Sequence, residues 1–321
     1  ENHPKWEIIS GLRYDHQSID STDSAEYQQS AATQAPVDLD NGTLNPSLSV
    51  LYNLSPNLKA YGKYQMAFRN PTYAEVNSSY GNPSRGYYII SNPDLKPESS
   101  NNYEAGLKGN YSKFDFSFAT YLSNYDDYIN DYAIIDYAAN PGVDRSLCGG
   151  PDSCDVSQYQ NISEAKIWGW EFNSEYKFTP DKFGLSFLTG LSYSHGDDTS
   201  NGTDKALTTI EPFKAVYGLK YISDNDKWNV ELINTYVGES RDIELLTWSG
   251  ATYENPHDSY TVTDLNSNLK LSDKLDINLG VGNVFDQKYF EYATVRTENK
   301  ADPNIDRFSS AGRHVKAGFK F

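Results

Sequence analysis

Two cysteines, Cys148 and Cys154, are the only thiols of the chain, and they enclose the residues Gly-Gly-Pro-Asp-Ser. A close pair in a Gly/Pro/Asp segment, with no third cysteine in the chain, predicts a small local disulfide. Such a bond persists in an oxidising compartment, at a cell surface or in the periplasm. Two free thiols that lie near each other by chance are the alternative. A zinc site is disfavoured because no histidine or further cysteine lies nearby.

The five histidines of the chain show no arrangement along the sequence that resembles a catalytic site. Nucleophilic catalysis needs a nucleophile beside a positioned base, and a third group that orients the base. No histidine stands in an obvious pairing of this kind, although residues far apart in sequence can meet in a fold. We therefore predict that the chain is not an enzyme, with no catalytic residue and no bound metal ion.

Composition limits the class of protein further. The 321 residues are 38% hydrophobic with a mean hydropathy of -0.67, and no stretch approaches the roughly 20 apolar residues of a transmembrane helix. With 26 Tyr and 14 Phe, the chain is too rich in aromatic residues for a disordered protein and favours strands joined by polar turns. The net charge of -17 argues against nucleic acid as a partner, since phosphate binding requires clustered Lys and Arg.

Apolar and polar residues alternate along most of the chain, which gives each segment one apolar and one polar face. Phe114, Phe116 and Phe118 alternate with polar residues, and the same pattern runs through 315–321 to the chain end. No helical stripe of any length is present. The pattern predicts about twelve strands. They cover residues 5–18, 46–54, 58–68, 100–111, 113–124, 163–178, 183–195, 212–222, 227–238, 259–271, 274–285 and 308–321.

The predicted connections alternate between short turns and long polar loops. The long loops cover 19–45, 69–99, 125–162, 196–211, 239–258 and 286–307. Long loops at every second connection are uncommon in a compact soluble sandwich. They are typical of an all-β transmembrane antiparallel barrel, whose strands are apolar toward lipid, whose periplasmic turns are short and whose extracellular loops are long. Counting back from Phe321 places the long loops outside, where a disulfide is stable.

Two short motifs flank the loop 69–99. They are Phe68-Arg69-Asn70-Pro71 and Asn92-Pro93-Asp94-Leu95. Proline fixes its own φ and cannot donate a hydrogen bond to a strand ladder. The motifs therefore mark places where strands stop, and each one taken alone is ordinary turn chemistry.

Taken in order, these motifs resemble the C-terminal half of TonB-dependent outer-membrane receptors, and most of all the heme and hemoglobin receptor subfamily. Those proteins carry a Phe-Arg-Ala-Pro box and an Asn-Pro-(Asn/Asp)-Leu box around one extracellular loop, and here Asn70 replaces the Ala. The terminal Phe321 resembles the assembly signal of this barrel class. Further similar stretches lie at 159–171, 210–219, 282–289 and 311–314, so the likeness covers nearly the whole chain.

The resemblance implies that residues 1–321 form the twelve C-terminal strands of one of the 22-stranded outer-membrane transporters. The plug, the TonB box and the first strands would be missing. The implied function is import of heme, free or taken from hemoglobin, across the outer membrane of a Gram-negative bacterium. The proton-motive force would drive it.

The implied partners are the TonB complex, reached through the missing N-terminal part, and heme or a heme-carrier protein. Outer-membrane lipid and the barrel-assembly machinery would also contact the chain. No permanent cofactor is expected, because heme would be the transported ligand.

Heme receptors usually carry an iron-binding histidine between the two boxes, but residues 72–91 contain none. Tyrosine can also be an axial heme ligand. The candidates for ligand binding are therefore Tyr73, Tyr80, Tyr87, Tyr88, His195 and His257. The alternative is that the tyrosines pack or form an aromatic girdle, and that the two histidines are solvated loop side chains.

Three other functions stay open. The absent histidine favours a siderophore or cobalamin receptor of the same class as the alternative to heme import. A self-contained twelve-stranded barrel enzyme is less favoured because no catalytic arrangement is visible. A passive porin is less favoured because a pore needs no boxes of this kind.

Overall fold

The computed structural model describes residues 5–21, 36–82, 87–134, 155–180, 183–200, 204–240, 245–246, 252–272, 274–296 and 298–321. Its elements follow one another as β1 (Trp6–Ile19), β2 (Leu39–Ser55), β3 (Leu58–Arg69), α1 (Tyr73–Asn77), β4 (Tyr80–Asn82), β5 (Tyr87–Ile90), β6 (Glu98–Asn110), β7 (Phe114–Ile134), β8 (Asp155–Lys177), β9 (Gly184–Asp198), β10 (Lys205–Ala206), β11 (Lys214–Ile222), β12 (Trp228–Val237), β13 (Leu245–Leu246), β14 (Thr252–Tyr253), β15 (Tyr260–Ser272), β16 (Leu275–Gly282), α2 (Tyr292–Val295), a 3-10 helix (Ile305–Phe308) and β17 (His314–Lys320). No helix within these ranges is both long and apolar enough to cross a membrane.

Twelve long strands form one continuous hydrogen-bonded path, in the order β1-β2-β3-β6-β7-β8-β9-β11-β12-β15-β16-β17. Every neighbouring pair along this path is antiparallel. Within the described residues, β1 and β17 are the two ends of the path, which makes the sheet an open arc. The all-β antiparallel architecture predicted from alternation is confirmed.

Several long strands extend into segments that the sequence predicts to be loops, most of all β2, β7 and β8. Strand β2 begins at Leu39, inside the predicted loop 19–45, while β7 and β8 run on to Ile134 and back from Asp155, inside the predicted loop 125–162. These extensions have polar residues on both faces, so alternation cannot reveal them. They are held by the ladder between neighbouring strands, which continues to the pair Ile134 and Ser157.

The two faces of the arc differ in chemistry as predicted. The register places the exposed large apolar side chains on one face, represented by Trp6, Ile8, Leu107, Phe118, Phe187, Leu219, Leu232, Leu279 and Phe319. The other face carries polar groups, such as the Lys177–Asp115 ion pair at 2.6 Å and the 2.6 Å bond that Tyr61 Oη donates to Glu104 Oε1. We call them the apolar face and the polar face.

Aromatic rings group at both ends of the apolar face. At the end with the long connections, the Phe213 ring centroid lies 6.3 Å from that of Trp170 and 6.4 Å from that of Tyr236. At the opposite end, the centroids of Tyr221 and Trp228 are 5.3 Å apart. At the usual rise of a strand, Phe213 and Tyr221 are separated by roughly 26 Å along β11. That spacing fits the apolar band of an outer-membrane barrel between its two aromatic girdles.

Glycines on the polar face allow tyrosine rings to lie across neighbouring strands. A Cβ added to Gly169 would lie 2.5 Å from Tyr121 Oη, and one added to Gly106 would lie 2.5 Å from Tyr61 Cε1. Because this space is empty at glycine, Tyr121 can reach Ser194 Oγ at 2.6 Å on the next strand but one. These two positions require glycine for a close approach.

Candidate functional site

The first box ends β3 and starts α1. Pro71 is fully buried and interrupts the strand, because it has no N–H for the ladder. The next residue, Thr72, is the N-cap of α1, where its Oγ1 accepts a 3.3 Å bond from Glu75 N. Glu75 Oε2 accepts a 2.7 Å bond from Thr72 N in return, which completes a capping box.

Arg69, the charged residue of the first box, joins the two sides of the loop. Its Nη1 lies 2.9 Å from Glu75 Oε1, and its Nε lies 3.0 Å from Glu98 Oε1 at the start of β6. Glu98 Oε2 also accepts a 2.9 Å bond from Ile129 N on β7. The side chains of Glu75 and Glu98 are only 13% and 12% exposed, so one guanidinium pairs with two carboxylates that have little access to water.

The second box is fixed against β8. Asn92 Nδ2 donates a 2.7 Å bond to Tyr159 O, and Asn92 Oδ1 accepts a 3.1 Å bond from Asp94 N within the turn. Just after the box, Asn161 Oδ1 accepts from Lys96 N at 2.9 Å while its Nδ2 donates to Lys96 O at 3.0 Å. The loop is further secured by the parallel pairing of β5 with the start of β8.

Helix α1, which follows the first box, and the second box share one small hydrophobic cluster. Val76 from α1, Leu95 from the second box, Leu39 from β2 and Ile129 from β7 are all buried in it. We call residues 70–97, with the exception of the undescribed 83–86, the cap. The cap is also held to the segment before β2 by Asn77, whose Oδ1 accepts from Val37 N at 2.8 Å and whose Nδ2 donates to Val37 O at 2.9 Å.

The four candidate tyrosines of the cap differ in exposure. Tyr80 is 56% exposed, whereas Tyr88 is 3% exposed. Tyr73 and Tyr87 are half-buried. The hairpin of β4 and β5 brings the ring centroids of Tyr80 and Tyr87 to 6.1 Å. The pair formed by Tyr80 and Tyr87 is therefore the aromatic surface that the cap presents.

The two candidate histidines lie on other elements. His195 is on the apolar face near the end of β9, where its Nε2 lies 2.8 Å from Asp197 Oδ2 and its ring centroid lies 5.3 Å from that of Trp168. His257 lies before β15 and is 5% exposed. This burial excludes the alternative that His257 is a solvated loop side chain, and its candidacy for ligand binding stays a prediction. Its burial comes from aromatic neighbours that are distant in sequence, chiefly Tyr292.

The remaining predicted residues stand as follows. Cys148 and Cys154 lie outside the described residues, so the disulfide stays a prediction. Phe321 is 93% exposed at the end of the apolar face. The Oδ1 atom of Asn70 is buried and has no hydrogen-bond partner among the described residues. Over the same ranges, no group of three or more His, Cys, Asp or Glu side chains is placed to hold a metal ion.

Sequence reasoning missed the residues that assemble the cap, chiefly Glu75, Glu98 and Asn161. Glu75 had a readable signal, because a Thr three residues before a Glu, as in Thr72-Tyr-Ala-Glu75, is the pattern of a capping box. Glu98 and Asn161 had none. Their roles depend on segments that only the folded sheet brings together.

A family model described as TonB dependent receptor-like, beta-barrel matches residues 2–284. The chain belongs to this family. It is similar to the hemoglobin-haptoglobin utilization protein B of Neisseria meningitidis, with 26% identity over 341 residues that cover 96% of this chain and 41% of the relative. It is also similar to a vitamin B12 transporter of Photobacterium profundum, with 28% identity over 266 residues that cover 81% of this chain and 37% of the relative.

Solved structures of low identity share the fold. A copper transporter superimposes with a TM-score of 0.75 at 20% identity, over 100% of this chain and 45% of that one. The chain thus spans about two fifths of the length of the proteins that it matches. The two relatives and the copper transporter are named for utilization or transport, and none is named as an enzyme.

Proposed function

We propose that the chain is the C-terminal barrel portion of an outer-membrane receptor that imports heme in a TonB- and proton-motive-force-dependent way. The observation that carries the proposal is the cap. The cap lies between two boxes typical of heme receptors, is held by a cluster that includes Leu95 of the second box, and presents the rings of Tyr80 and Tyr87. The similarity to a protein named for hemoglobin-haptoglobin utilization supports heme, taken up free or from a carrier protein, as the transported ligand.

The proposed orientation follows from the two ends of the arc. The long connections, including the cap, face outward from the cell, and the short turns face the periplasm. The apolar face contacts outer-membrane lipid. Phe321 is the signal that the barrel-assembly machinery recognises. The polar face lines the interior of the barrel. In the complete receptor a plug domain fills this interior, and the TonB complex acts on the plug.

The proposed role of the cap is capture rather than chemistry. Heme is flat and aromatic, so it can stack on tyrosine rings, and such contacts contribute about 0.5–1.5 kcal/mol each beyond area burial. A tyrosine hydroxyl can also be an axial ligand of heme iron. Tyr80 is the most accessible of the four cap tyrosines, while the buried Tyr88 is better suited to holding the hairpin.

A siderophore or cobalamin is the second candidate for the ligand. Two observations favour it: the absence of histidine from residues 72–91 and the similarity to a vitamin B12 transporter. Both alternatives use the same barrel and the same energy source, so the ligand alone distinguishes them.

A binding titration of the complete receptor that carries this sequence tests the proposal. Heme should bind with a change in its absorbance band, and the double variant Y80A/Y87A should bind it about tenfold more weakly through the loss of two stacking contacts. Tyr111→Ala is the matched control, since Tyr111 is a comparably exposed tyrosine beside a short turn. Tight binding of cobalamin or a ferric siderophore, with no heme binding, would contradict heme import.

A further inference from the structure

Three connections meet at the end of the arc that bears the long loops, away from the cap. They are residues 207–213, 254–260 and 286–296, which we call the histidine junction. Tyr292 Oη donates a 2.8 Å bond to Thr208 O, and Asn255 Nδ2 donates a 2.6 Å bond to Val295 O. The ring centroids of Tyr260 and Tyr289 are 4.4 Å apart. Each connection is thus tied to another by at least one direct contact.

His257 occupies the interior of this junction. Its ring meets Tyr260 and Tyr292 edge to face, with centroid distances of 6.0 Å and 5.4 Å. The residue is 5% exposed, and neither ring nitrogen bonds to another residue of the described chain. A 2.8 Å bond from His257 N to Asn255 Oδ1 fixes the backbone that holds the ring in place. An imidazole placed in this way is tolerated when neutral, but a buried cation without a partner is costly.

The charges around the junction only partly compensate for burial. Burial lowers the pKa of His257 from its ordinary value of 6.5, while the negative charges of Asp258 and Glu239 oppose that shift. Tyr260 and Tyr292 present neutral rings to the imidazole. The charges of Arg296 and Glu211 act on Tyr292, and those of Lys214, Glu291 and Arg296 act on Glu211. Lys300 Nζ lies 3.2 Å from Asp258 Oδ1.

We propose that His257 is an acid-sensitive lock that keeps the three connections of the junction together while it is neutral and releases them when it is protonated. In the packed junction the imidazole is buried and disfavours protonation. In the opened junction the imidazole is exposed to water and titrates with the ordinary pKa of histidine. Opening would free 286–296 and 254–260 from each other and widen the outer end of the arc. This device goes beyond the proposed function, since it applies whichever ligand is imported.

The direction of the pH effect follows from linkage. Above the ordinary pKa of histidine, the imidazole of His257 is neutral in both the packed and the opened state, and the junction has its full stability. As the pH falls below that value, the opened state binds the proton and the packed state does not. At one pH unit below the ordinary pKa of histidine, the population of the opened state rises up to about tenfold relative to that of the packed state.

Hydrogen-exchange mass spectrometry of the complete receptor at pH 7.5 and pH 5.5 tests the proposal, after correction for the intrinsic pH dependence of exchange. We expect peptides that cover 254–260 and 286–296 to exchange several-fold faster at pH 5.5 in the wild type. His257→Phe, which keeps an aromatic ring but cannot titrate, should remove this acceleration. His16→Gln is the control, because His16 is half-exposed on β1 and should leave it unchanged.

A second measurement does not depend on any variant. Deuterium exchange at the Cε1 position of each histidine, followed against pH in the wild type, reports the pKa of His257 directly. A value clearly below the ordinary 6.5 supports the lock. A value equal to or above 6.5 would overturn it, as would acid-accelerated exchange that persists unchanged in a folded His257→Phe variant.

Discussion

At the scale of single residues, Arg69 explains why a charged side chain stands in the first box. It contacts Glu75 in the helix cap and Glu98 at the start of β6, and Glu98 in turn accepts a bond from β7. One guanidinium therefore links helix α1 of the cap to the start of β6 and, through Glu98, to β7. Its planar donors can serve two carboxylates at once, which a lysine ammonium does less well.

Replacement of Arg69 by Ala is expected to loosen the cap without unfolding the barrel. Two mostly buried carboxylates would lose their partner, and we expect a local destabilisation of about 1–2 kcal/mol, reduced from the value for a fully buried pair because Arg69 is itself partly exposed. Hydrogen exchange in peptides that cover 73–80 should accelerate. Arg13→Ala is the matched control, because Arg13 is 73% exposed and pairs only with Asp15 among the described residues. Equal protection of the cap in both variants would contradict this role.

At the scale of elements, the long strands were predictable and the cap was not. Alternation within a strand is a local property, so the twelve strands and their order could be inferred from the sequence. The parallel pairing of β5 with β8 places Tyr87 opposite Asp155, which is distant in sequence. No local sequence pattern predicts such a contact. The same reason explains His257, whose burial depends on Tyr292 in another connection.

The packing between strands gives a prediction for glycine. At Gly169 on β8, an added Cβ would collide with Tyr121 Oη and with the carbonyl oxygen of Tyr193. Gly169→Ala should therefore lower barrel stability, by about 1–3 kcal/mol for an overpacked site. The measurement is the temperature at which the folded barrel loses its altered mobility on a denaturing gel. Gly62→Ala is the control, since a Cβ at Gly62 meets no atom within 4 Å, and equal losses in both variants would contradict the close-approach argument.

At the scale of the whole molecule, the separation of apolar and polar faces is the property on which the fold depends. A sheet in water with this much exposed Trp, Leu and Phe on one face would aggregate, because large exposed apolar patches associate with other apolar surfaces. Lipid supplies that surface on the outside of a barrel, and the ladders of neighbouring strands satisfy the backbone groups that lipid cannot. The family to which the chain belongs is consistent with this arrangement.

The lipid-facing assignment can be tested on a single strand. Leu219 and Val216 lie on β11, on the apolar and the polar face respectively, and Leu219 is 42% exposed, inside the apolar band and nearer to Tyr221 than to Phe213. Leu219→Lys should cost about 1–2 kcal/mol, because the cost of a charge falls from about 2–4 kcal/mol at the hydrocarbon midplane to about 0–1 kcal/mol near the interface. Val216→Lys places the same charge on the polar face and should cost much less. The amount of folded receptor in the outer-membrane fraction measures both effects. If the two variants assembled equally well, or if Val216→Lys were the more harmful, the apolar face would not be the one that contacts lipid.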